Sequence, residues 1–147
     1  MLIVLGILSV FVVLACHWIG IFLVRSLFNA TLDRFPVRRI LGAELAFGLA
    51  IFGLVLINFA DVTICTLLVM AGSQAAGPLA MHFGDAFLFA ISNFTTLGLA
   101  APEGSDVPRI AAPLIAMSGI VSFGWSTSFL VACSHAAQKW RNAPGAL

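Results

Sequence analysis

The amino-acid sequence predicts an all-α membrane protein: three transmembrane helices, with a short re-entrant helical segment between the second and third. Two observations lead there. Of 147 residues, 61% are hydrophobic and only 9% are charged, with a mean hydropathy of +1.11, so a soluble domain of this length would lack the polar surface it needs. Three apolar runs also exceed the ~20 residues that cross a bilayer, whereas a fourth is too short to do so. Such spans leave little chain for a soluble domain. The sequence shows no nucleotide-binding loop, no low-complexity linker and no basic surface for nucleic acid.

The elements follow in order. The first span covers residues 1–28, with no charge before Arg25, and residues 29–39 form a loop rich in arginine. The second span, residues 40–71, is interrupted by Glu44, Asn58 and Asp61, and is long enough to tilt or to project beyond the bilayer. A small-residue turn, 72–78, leads to the apolar decamer 85–94. Its length suits a core, interfacial or re-entrant helix, and Asp85 suits its N-terminus, where an acid is favoured. Thr95-Thr96-Leu97-Gly98-Leu99-Ala100 and the loop Pro102-Glu103-Gly104-Ser105-Asp106 come next. The third span, 110–137, ends at Lys139-Trp140-Arg141, an interfacial anchor.

Charge placement sets the expected orientation. Arg25, Arg34, Arg38 and Arg39 lie in or beside the first loop, Lys139 and Arg141 follow the last span, and Arg109 is the one basic residue elsewhere. An excess of Lys and Arg marks the cytoplasmic side. The first loop and C-terminus are therefore expected inside, with the N-terminus and residues 72–109 outside; three spans satisfy both ends. Val13-Leu14-Ala15-Cys16 faintly resembles a lipoprotein cleavage box, but no basic residue precedes the run and apolar sequence continues beyond it, so the span is expected to be retained. Cys16, Cys65 and Cys133 have no paired spacing and are expected to be small buried apolar residues rather than a disulfide framework or metal site. His17, His82 and His135 are scattered over different segments. His17, mid-span beside Trp18, is the one candidate haem ligand, and it has no second axial partner. No nucleophile–base pair stands out, so neither an enzyme, nor a cofactor, nor a small-molecule substrate is expected.

The stretch Gly84-Asp85-Ala86-Phe87-Leu88-Phe89-Ala90-Ile91-Ser92-Asn93-Phe94-Thr95-Thr96-Leu97-Gly98 resembles the pore module of the potassium-channel superfamily, in which an apolar pore helix runs into Thr-Thr-Val/Leu-Gly-Tyr-Gly. Gly119-Ile120-Val121-Ser122-Phe123-Gly124-Trp125-Ser126-Thr127 is similar to the inner helix of small bacterial members. The resemblance covers residues 45 to 137, with the first helix as an addition. It implies an outer helix at 40–71, a pore helix at 85–94, a filter at Thr95, Thr96, Leu97, Gly98, Leu99 and Ala100, and an inner helix at 110–137. It also implies a bacterial plasma membrane and a homotetramer, because one chain holds one loop and a ring needs four. Backbone oxygens and the Thr96 hydroxyl would replace the water shell of a monovalent cation, potassium or sodium. Non-helical backbone at membrane depth is tolerated where it lines such a cavity. The negative C-terminal end of the short helix would face the cation.

This chain departs from that pattern at three places: Leu99 stands where the family has tyrosine, Ala100 replaces the second glycine, and Ala101 the acid after it. Leucine has no hydroxyl to hold the filter's diameter from behind. Alanine in the positive-φ conformation that glycine permits costs on the order of 1–2 kcal/mol. The expected filter is therefore altered: weakly selective, wider, collapsed, or adapted to another permeant species.

Other residues carry paired expectations. Ser118, Ser122 and Ser126 share one face of the third span, either wetting a cavity below the filter or packing helices closely. Gly119 and Gly124 allow either an inner-helix bend or tight packing. Asp61, near the bilayer middle with Asn58 on its face, demands a buried partner, either as support for the pore helix or protonated in a packed interface. Glu103 and Asp106 either form a ring of acids at the outer mouth or are ordinary loop polarity. The resulting expectation is a tetrameric cation channel with an altered filter, partnered by lipid and by copies of itself. A non-conducting membrane scaffold or accessory subunit is the alternative, and a haem- or quinone-binding subunit is a third.

Overall fold

The protein is represented by a computed structural model that describes residues 2–35, 37–76, 81–99 and 106–142. Four helices follow one another: α1 (Leu2–Arg34), α2 (Arg39–Ala76), α3 (Phe83–Phe94) and α4 (Asp106–Arg141). No strand occurs among the described residues. In hydrocarbon every backbone N–H and C=O must be paired within the segment, and a helix does this residue by residue. α1, α2 and α4 are each long and apolar enough to cross a membrane. They outrun the expected spans, α1 reaching Arg34, α2 Ala76 and α4 Arg141. Hydropathy marks only the stretch that lipid requires to be apolar, whereas the i→i−4 ladder continues into polar flanks such as Gln138 and Lys139.

The outward surface agrees with lipid as the solvent. Phe11 and Phe22 are each 65% exposed and Phe52 61%, an arrangement that water would penalise and acyl chains do not.

The described residues group into two units. One comprises Trp18–Ile57 and Gly124–Leu147. Here the apposition of α1 and α2 depends on small residues. Ala43, Ala46 and Ala50 are at most 3% exposed and pack with Val24, Phe28 and Leu32 of α1 and Cys133 of α4. A Cβ at Gly20 would meet Ile57 at 2.8 Å, and one at Gly53 would meet Val24 at 2.6 Å, so the helices approach closely, as small residues allow in membranes. The Arg39 guanidinium lies 5.6 Å from the centroid of the Trp140 ring, a cation–π contact.

The other unit comprises Met1–His17 and Asn58–Phe123. Its core joins Val13 of α1, Val62, Cys65 and Val69 of α2, Phe89, Ala90 and Phe94 of α3, and Ile115 of α4. α3 buries Ala86, Phe89, Ala90, Ser92, Asn93 and Phe94, all but Ser92 on one stripe at helical spacing, and this stripe fixes where the following loop emerges.

Candidate functional site

The site begins where α3 ends. Thr95 caps the helix, its N–H bonded to the Ile91 carbonyl at 3.0 Å and its hydroxyl folded back to the same carbonyl at 2.8 Å. The chain then turns without leaving the helix end. The N–H of Thr96 donates to Asn93 O at 2.9 Å, and those of Leu97 and Gly98 both donate to Ser92 O, at 2.8 and 3.1 Å.

These bonds fix the direction of the carbonyls. In a trans peptide the C=O of one residue points opposite to the N–H of the next. Because the N–H groups of residues 96, 97 and 98 all point back at α3, the carbonyls of Thr95, Thr96 and Leu97 all point away from it. An ordinary strand would alternate them. Two residues of this turn, Thr96 (φ 63°) and Gly98 (φ 74°), adopt left-handed backbone. Glycine does so freely, but a β-branched threonine there is strained. The residues from Thr95 to Leu99 are exposed, with Leu97 at 78% and Leu99 at 52%. Three consecutive oxygens of one sense, on an open surface, form a row able to coordinate a cation.

The loop is seated from below by two close contacts. A Cβ at Gly119 would come within 2.0 Å of the Phe94 carbonyl oxygen, so α4 approaches the end of α3 as only glycine permits. Phe94, 1% exposed, also packs edge-to-face on Phe123 at 5.4 Å between ring centroids. From above, the Asn93 amide, 6% exposed, donates to Phe89 O at 2.8 Å and reaches Leu99 O at 3.5 Å.

A second polar group lies within the same unit. His17 of α1 and Asp61 of α2 are hydrogen-bonded, Nδ1 to Oδ2, at 2.5 Å, with side-chain exposures of 0% and 1%. Ser122 of α4, fully buried, sits beside the Asp61 carboxyl, though its hydroxyl falls outside strict hydrogen-bond geometry.

Thr95, Thr96, Leu97, Gly98 and Leu99 thus come together at the end of α3. Ala100 and Glu103 lie outside the described residues, as does the side chain of Asp106. Ser118 and Ser122 face α2, beside Cys65 and Asp61, and Ser126 is 7% exposed. Within the chain these three serines have the character of helix packing. Gly119 is a point of close approach inside the unbroken helix α4, whereas Gly124 faces open space. Asp61 pairs with α1, not with α3. Cys16 is exposed, in contrast to the buried Cys65 and Cys133. Sequence reasoning missed His17 as the partner of Asp61. A signal was there: each is the one ionisable residue other than cysteine deep within its apolar helix, and the two helices are consecutive.

These features have a counterpart among known proteins. A family model described as an ion channel matches residues 53–134, more than half of the chain. The chain belongs to this family of two-helix, potassium-channel-like pore proteins. The match begins within α2 and ends within α4, so α1 lies outside it. No curated protein and no solved structure matches the chain.

Proposed function

We propose that this protein is a subunit of a fourfold-symmetric cation channel whose filter is the loop following α3. The observation that carries the reading is the row of Thr95, Thr96 and Leu97 carbonyls turned to one exposed side. One chain supplies one quarter of a coordination ring, so four copies complete it. The permeant ions are monovalent cations, potassium or sodium, and discrimination between them is weak because Leu99 and Ala100 replace the family's tyrosine and glycine. Glu103 and Asp106 follow the loop and would concentrate cations at its mouth. With Ser118 and Ser122 of α4 packed inward, the lining below the filter falls to exposed positions such as Ile120, 61% exposed. The basic residues of the first loop and of the α4 terminus put both in the cytoplasm.

The test is cation flux through purified protein in liposomes, comparing potassium, sodium and a larger organic cation. Flux that a Gly98→Val substitution abolishes supports a pore through this loop. Absence of flux from an intact assembly favours a non-conducting scaffold. The substitution of Leu99 for tyrosine, with 52% of its surface exposed, is the observation on the side of that second reading.

A further inference from the structure

This inference deepens the filter reading and rests on it. Leu99 cannot brace the filter from behind as a tyrosine hydroxyl would, yet its backbone is braced. Asn93, on the buried stripe of α3, places its amide nitrogen 2.8 Å from Phe89 O and 3.5 Å from Leu99 O. Both neighbours are acceptors. Only the NH2 side of the amide can sit between two carbonyls, which fixes its orientation, and its two hydrogens match the two oxygens.

The direction of that second contact matters. The carbonyls of Thr95, Thr96 and Leu97 point away from α3, because the next residue's N–H in each case is bonded to it. The Leu99 carbonyl instead points back to α3. The sense of the chain thus reverses between Leu97 and Leu99, a stretch that includes Gly98 at φ 74°.

We infer that Asn93 is the residue that sets ion discrimination in this pore, by holding the Leu99 carbonyl out of the row of cation-facing oxygens. The row then ends short, and a cation entering it keeps part of its water shell. Potassium and sodium differ most in the cost of losing that shell, so a short row separates them poorly. Asn93 does this without touching the ion; it is a positioning residue. Once released, the Leu99 carbonyl has the permeant cation as its other partner at this depth. The row lengthens by one ring.

The experiment compares wild type, Asn93→Leu and Asn93→His in two measurements. One is the potassium-to-sodium flux ratio in liposomes. The other is the ratio of the sodium to the potassium concentration that half-protects the purified protein against thermal unfolding, which needs no conduction. Asn93→Leu, with the same branching and number of side-chain heavy atoms but without a donor, is expected to raise both ratios in favour of potassium by about fivefold, the worth of one hydrogen bond. Asn93→His, which keeps an N–H at similar reach, is expected to hold the wild-type ratios. Unchanged or lowered ratios in Asn93→Leu overturn the inference, as does an equal shift in Asn93→His, which would make packing the cause. Should Asn93→Leu fail to assemble, Asn93→Ala is judged by the same outcomes. Wild-type protein with cation-specific protection but no flux sinks the channel reading, and the protection ratios then decide Asn93 alone. Protein that neither conducts nor distinguishes cations in unfolding overturns both.

Discussion

Two glycines of α4 look alike in sequence and differ entirely in surroundings. A Cβ at Gly119 would strike the Phe94 carbonyl oxygen at 2.0 Å, while one at Gly124 meets nothing within 4 Å. The struck atom is backbone, so the helix end beneath the loop must move. Gly119→Ala is therefore expected to lose about 1–3 kcal/mol, as overpacking does, read as a lower thermal midpoint together with reduced flux. Gly124→Ala is expected to stay within about 0.5 kcal/mol. At the loop itself, Thr96→Gly should relieve the strain of a β-branched residue at φ 63°, on the order of 1–2 kcal/mol, unless the threonine hydroxyl binds the cation, in which case cation-dependent protection falls. Sequence spacing placed the loop at residues 95–100 but gave no means of separating the two glycines, because what distinguishes them is a carbonyl contributed by another helix.

Among the elements, α1 is the addition to the family module, and its buried His17 pairs with Asp61 of α2. Removing one partner of such a pair leaves an unsatisfied polar group in a dry interface, at a cost of about 3–5 kcal/mol, whereas replacing both with apolar residues of similar size is often neutral. His17→Leu and Asp61→Leu are each expected to destabilise strongly, and the double variant to regain most of the loss. Additive single effects in unfolding measurements would show that the two residues do not depend on each other. The existence and order of the helices were legible, since lipid leaves few other structures and hydropathy reports it directly. Their ends were not: α4 begins at Asp106 rather than 110, because helical hydrogen bonding does not stop where hydrophobicity does. The partner of Asp61 was hidden for a different reason, as choosing it required knowing which faces of α1 and α2 meet.

For the whole molecule, family membership gives an ion-channel architecture, and the proposed function gives the altered residues after Gly98 a part in its permeation. Leu99→Tyr with Ala100→Gly is expected to move the flux ratio toward potassium if the loop follows the family's path. An unchanged ratio with undiminished flux would put the selective region elsewhere. The resemblance was readable from Thr-Thr-Leu-Gly placed at the end of a short apolar helix between two spans. The direction of each carbonyl was not readable, because it depends on which N–H groups the α3 carbonyls of Ser92 and Asn93 capture.

The His17–Asp61 pair also bears on how the chain is made. An acid at the centre of a helix costs roughly 2.5–3.5 kcal/mol when the helix enters the bilayer by itself. α1 is synthesised first and carries the complementary group, so by the time α2 emerges from the ribosome its partner is waiting at the insertion site. The two helices then have an energetic reason to pass into lipid together as a hairpin, and a chain begun after α1 would deliver Asp61 to the membrane without the group that makes it tolerable there.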